Sequence, residues 1–211
     1  MKSQVASPFE ALPGAEADFQ LAPSATFFDV PSSTLTASPL FSYAEEIERA
    51  LAAELAMAAL MMAIALPDLC AALGDPKGVT SGDKYAKWFD ENLPEYVEQL
   101  PGQQCYKLRC GLLHQGTPRH RDFIYQRPVF ALSGARGHRW SFKNVWHDGV
   151  RDLDTLMLAL PRFCRDMHQA AGRWAIANLN NPTVVANAQR LLRYRPEGVH
   201  TPMMSTGPAI A

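Results

Sequence analysis

The stretch AEEIERALAAELAMAALMMAIAL, residues 44 to 66, decides the fold class. Its apolar residues recur at helical spacing, and no glycine or proline interrupts it before Pro67. Alanine is frequent enough for another helix to approach closely. Ser42 stands where an N-cap is wanted, with Glu45 three residues on as its capping-box partner. Glu45, Glu46 and Glu48 suit the positive end of a helix dipole. The pattern predicts one long helix from Ser42, kinked or ended at Pro67, with a short continuation from Asp68 to Gly74-Asp75-Pro76. The most apolar part, Leu55 to Leu66, is twelve residues long and bounded by Glu54 and Pro67-Asp68. A bilayer span needs about 20 apolar residues, so this part reads as a buried core helix.

Outward from this helix the period stays mostly helical. A second helix is expected over Asp83 to Leu93, with Tyr85, Trp88 and Phe89 on its apolar face. A third runs from Gly102 to Gln115 and stops at Gly116, with Pro118 close behind. Then FIYQRPVFAL (123–132) and HRWSFKNVW (138–146) bring aromatic and β-branched runs, separated by Ser133-Gly134-Ala135-Arg136-Gly137. They predict a β-hairpin at about 121–148, with Pro128 marking its first strand as an edge. Helix returns from about Leu153 to Asn178, where Leu156, Leu160, Phe163, Met167, Ala170 and Trp174 fall close to one stripe. A last helix is expected from Pro182 to Tyr194, its proline in the first turn where a missing N–H costs nothing. Residues 1–38 and 196–211, rich in proline and small residues, read as a disordered arm and tail. The expectation is a mainly α protein: one helical bundle over residues 39–195 with an inserted β-hairpin.

The chain has 211 residues, enough for one domain with a real core, and its 47% apolar and 19% charged residues are ordinary for a globular protein. Cys70, Cys105, Cys110 and Cys164 form no CxxC pair and no disulfide framework. They read as reduced thiols and point to a cytoplasmic protein with no membrane association. Lys2 is the only early positive charge and no apolar run follows it, which is not the shape of a signal peptide. No phosphate-binding glycine loop, HExxH, GxSxG or zinc-finger spacing is present.

The segment CYKLRCGLLHQG, residues 105 to 116, carries the most chemistry. A guanidinium such as Arg109 is permanently charged and forks onto phosphate oxygens. An imidazole such as His114 suits proton transfer near neutral pH. An arginine also precedes a histidine by six residues at Arg162–His168 and by five at Arg195–His200, so position must distinguish the copies. Arg109 and His114 lie at a helix C-terminus closed by glycine. They also lie in a basic region: from Lys107 to Lys143 there are eight Lys/Arg and three His against one acid, Asp122. A local field of this kind attracts phosphates although the whole chain is net −1. Lys107, Arg119, Arg121, Arg127, Arg139 and Lys143 are the candidate nucleic-acid contacts. One difficulty is geometric. Five residues along a helix turn about 140°, so the arginine must reach round or the site must draw on two chains.

The Arg109-x4-His114 arrangement, with the flanking runs MAIALPDLCAAL and KYAKWFDENL, resembles the HEPN domains of bacterial toxins and defence proteins and a group of small bacterial proteins with a similar helix. The resemblance covers roughly residues 41–175. It implies a helical homodimer with the site at a two-fold interface, and cleavage of RNA without metal or cofactor. In that mechanism the arginine neutralises the scissile phosphate and the histidine moves protons, leaving a 2′,3′-cyclic phosphate and a 5′-hydroxyl. Many active members carry a polar residue after the arginine, where this chain has Cys110. A catalytically silent HEPN-like module binding nucleic acid or protein is therefore the alternative. A third reading would arrange His114, His147-Asp148 and Asp152 or Asp166 as the ligands of a helical HD-type metal phosphohydrolase. Trp140 and Tyr125 are candidate stacking surfaces for bases, while His168 reads as structural.

Overall fold

The computed structural model describes residues 39–118, 120–132, 139–147, 150–192, 194–195 and 209–210. For 39, 41, 139–147, 150–154 and 194–195 the description extends to the backbone only. The expected arm over 1–38, the turn at 133–137 and the tail over 196–208 lie outside it. The chain divides between residues 31 and 32, and all described residues belong to the second unit.

The described residues are mainly helical: α1 (Pro39–Ala52), α2 (Ala56–Gly74), α3 (Gly82–Asn92), α4 (Gly102–Gln115), α5 (Leu160–Ala177) and α6 (Pro182–Ala188). Strands β1 (Arg127–Ala131), β2 (Arg139–His147) and β3 (Val150–Ala159) lie between α4 and α5. Two short strands near the C-terminus, β4 (Tyr194–Arg195) and β5 (Ala209–Ile210), pair antiparallel.

The long N-terminal helix is divided, but not where Pro67 predicts. It starts at Pro39, a residue that suits a first turn, so Ser42 and Glu45 lie inside α1 and do not form a capping box. It ends at Ala52 and is closed two residues on by Glu54, whose φ of 59° is left-handed. There Leu55 N–H donates to Ala50 O and Glu54 N–H to Leu51 O, which closes the helix as a glycine would. Pro67 instead sits within the continuous α2. It removes one rung of the ladder, and in the same stretch the Tyr85 hydroxyl donates to Ile64 O at 3.0 Å. Because α2 runs through Pro67, its 19 residues are long and apolar enough by length and composition to cross a membrane. Half of that span is buried inside the bundle.

Helix α2 is the centre of the core. Ala59, Leu60, Ala63, Ile64, Leu66, Cys70 and Leu73 are buried on it, and α1, α3, α5 and α6 pack around it. Each fully buried Leu, Ile or Phe stabilises the fold by about 1.5–3 kcal/mol. Tyr96, in a single 3-10 turn, packs its ring against Phe89 and Phe163 and donates its hydroxyl to Asp166 at 2.7 Å. Helix α3 begins at a Ser81 cap that accepts from Lys84 N–H. Helix α4 has the bounds that the sequence predicts. At its start Gly102 lies so close to α3 that a Cβ there would stand 2.2 Å from Ala86 O.

The sheet differs from the expected hairpin. Its order is β1-β3-β2, with β1 parallel and β2 antiparallel to β3. The two aromatic runs therefore do not pair with each other, and residues 150–159 form the central strand, so the helix expected from Leu153 is strand as far as Ala159. A short apolar run fits either period, and the strand's burial at Thr155, Leu156, Leu158 and Ala159 decides the matter. Pro128 lies on the edge strand β1, where its missing N–H is tolerated. Helix α5 consequently starts at Leu160, and α6 ends at Ala188 rather than Tyr194.

Candidate functional site

Arg109 and His114 meet. Nη1 of Arg109 lies 2.8 Å from Nε2 of His114, within one chain, despite the turn of helix between them. The arginine reaches round because it is held from the far side. Its Nε donates to Oδ2 of Asp68 on α2 at 2.6 Å. The guanidinium carbon stands 6.0 Å from the centre of the Tyr106 ring. The side chains of Arg109 and Asp68 are 19% and 12% exposed, whereas His114 faces solvent beside the left-handed Gly116 that ends α4.

This pairing sets the electrostatics. Burial works against the Arg109 charge, but the attraction and hydrogen bond of Asp68 outweigh it, so the guanidinium pKa is raised. Arginine only donates, so at the short contact Nε2 of His114 must be the acceptor. The ring is then neutral with its proton on Nδ1, an assignment made from the hydrogen-bond pattern. The other oxygen of Asp68, Oδ1, is buried without a partner. Cys110, half-buried on α4, lies against Tyr106 and Arg109, and its contact with the Tyr106 hydroxyl raises that phenol's pKa. The other three cysteines are buried, and burial pushes the Cys105 and Cys164 thiols up to about 12.

The basic candidates gather only in part. Lys107 donates to Asp122 O at 2.8 Å, and Arg121 pairs with the Asp122 carboxylate at 3.4 Å. His120 Nδ1 accepts from Asp122 N–H, so the loop after α4 folds back beside Lys107. Lys107 and His114 are seven residues apart and share a helix face to within about 20°. Arg127 is half-buried at the start of β1. Arg139 and Lys143 lie on β2, described by backbone alone, and Arg119 is outside the described residues.

Several other expectations fall away. Tyr125 is buried, with its hydroxyl on Gln99 O, and offers no stacking face. Arg162 is engaged by Asp166, and His168 is buried with Nε2 at 2.7 Å from Glu48, so that copy of the spacing is structural. Asp166 accepts from both Arg162 and Tyr96, which removes it from the HD-type set. Asp148 lies outside the described residues, among which no three His, Cys, Asp or Glu side chains gather to hold a metal. A cavity of about 300 Å³ between α2, α3 and α5, lined by Lys84, Trp88 and Trp174, includes none of the site's side chains.

Asp68 is the residue that sequence reasoning missed. A carboxylate embedded in the most apolar helix needed a partner, and that was the signal available. No protein-family model, curated protein or solved structure matches this chain.

Proposed function

We propose that the chain is a HEPN-like domain of the cytoplasm, acting as a metal-independent RNA endonuclease of toxin or defence type. The observation that supports this best is the 2.8 Å contact of Arg109 with His114 at the solvent-facing end of α4. A fixed cation and a proton acceptor at one point are what phosphodiester transfer within RNA requires. Arg109 takes the non-bridging oxygens of the scissile phosphate. Nε2 of His114 accepts the 2′-hydroxyl proton as that oxygen bonds to phosphorus. The bond from phosphorus to the 5′-oxygen breaks, leaving a 2′,3′-cyclic phosphate. The departing oxygen takes a proton from water to become the 5′-hydroxyl, and His114 returns to solvent the proton that it took, in a chain that acts as a homodimer. Lys107 and Arg121 guide the backbone of the RNA.

One feature favours a silent binding module instead: the Arg109 charge is already paired with Asp68. The test is cleavage of total and synthetic RNA, in EDTA, by the wild type and by Arg109→Lys and His114→Ala. Cleavage leaving cyclic-phosphate ends, lost in both variants, is the expected result. A folded wild type that binds RNA and leaves it intact would move the assignment to the binding module.

A further inference from the structure

The Asp68 contact goes further than a salt bridge. Asp68 stands on α2 and Arg109 and His114 on α4, and rotation alone points the last two about 140° apart. Without a tether, a flexible arginine at this position would sample several rotamers and extend into water. Instead Nε is engaged by Oδ2 of a carboxylate whose side chain is only 12% exposed, so the guanidinium plane is pinned from within the bundle. Pinning Nε orients the fork, and the fork delivers Nη1 to Nε2 of His114. A donor at Nε2 compels the imidazole proton onto Nδ1.

We propose that Asp68 is the positioning residue of this site: by pinning Arg109 it holds His114 as the neutral Nδ1–H form, with its Nε2 lone pair kept on the arginine until a phosphodiester draws the guanidinium away. The role as a base rests on the nuclease reading. The chain Asp68–Arg109–His114 rests on the geometry alone. Phosphate then does two things in one motion. It takes the Nη donors of Arg109, and it frees the nitrogen that removes the 2′-hydroxyl proton. Asp68 touches no substrate and acts only through Arg109.

The readout is the histidine tautomer, measured by nitrogen NMR on the full chain labelled in its imidazoles, at about pH 8, above the usual imidazole range. His114→Gln identifies the signal. Wild-type His114 should show a protonated Nδ1 and an unprotonated Nε2 in roughly ten-fold excess or more, since the donor is charged. Asp68→Leu, which fills the buried site without a charge, should abolish that excess while the chain stays folded. Arg109→Lys keeps a charge for Asp68 but cannot fork to both partners, and should abolish it too. Dimethyl phosphate, as a diester probe, should reduce the excess in the wild type alone. A neutral wild-type His114 protonated on Nε2, or an unchanged tautomer in folded Asp68→Leu, would overturn the proposal. Loss of the nuclease reading is separate: it shows as intact RNA with the Nδ1–H tautomer still present.

Discussion

Arg109→Leu removes the counter-charge of a carboxylate anchored in the central helix. Asp68 sits on α2 with its side chain 12% exposed, and one of its oxygens already lacks a partner. A short side chain on a packed helix cannot swing out to water, so the charge stays and is uncompensated. Breaking a buried pair from one side costs about 3–5 kcal/mol. The lower end applies because both side chains keep an edge at the surface, so a loss of about 3 kcal/mol is expected. For a domain of this size that corresponds to a fall in Tm of roughly 6–12 °C. Asp68→Leu should cost less, since the longer arginine can turn its head to solvent. The double variant Asp68→Leu/Arg109→Leu should recover most of the loss, because neither buried charge remains. Urea and thermal unfolding of the four proteins completes the cycle. The reasoning fails if Arg109→Leu unfolds within about 0.5 kcal/mol of the wild type, the range of an ordinary surface change. The result also bears on enzymology: in any Arg109 variant, lost activity must be separated from lost fold, whereas exposed His114 carries no such confusion.

Two further outcomes follow from the packing and the buried charges. Gly102→Ala would bring a Cβ to 2.2 Å from Ala86 O, a backbone atom, so α4 must move away from α3. Denaturant unfolding should show a loss of about 1–3 kcal/mol, and a wild-type midpoint would mean that the two helices are less tightly joined. His168 is held below the usual imidazole value, chiefly by burial and in spite of its hydrogen bond to Glu48. The folded state therefore takes up its proton less readily than the unfolded chain, and the contribution present above about pH 6.5 is lost as pH falls through the lowered value. His168→Gln should flatten the decline in stability between neutral and mildly acidic pH, and an unchanged slope would sink this assignment.

What could be read from the sequence was local. Gly116 ends α4 at the predicted residue because a left-handed position just past the helix selects glycine, whatever packs nearby. The apolar face of α3, with Tyr85, Trp88 and Phe89 buried, was likewise visible in its period. The Arg109–His114 spacing could be seen but not interpreted, since two other copies had the same form. Where long-range partners intervene, sequence alone left the outcome open. Pro67 remains within a helix whose neighbours hold it, while Glu54 breaks one without a glycine to announce it. Residues 150–159 satisfy either period, and only pairing with β1 on one side and β2 on the other makes them a strand.

A mainly helical chain, the bounds of α4 and the residue types available at its end were legible from the residues, because those depend on contacts within a turn or two. The tertiary structure alone decided that Arg109 reaches His114. The carboxylate that holds it comes from Asp68, 41 residues earlier, and only the packing of two helices brings that charge within reach.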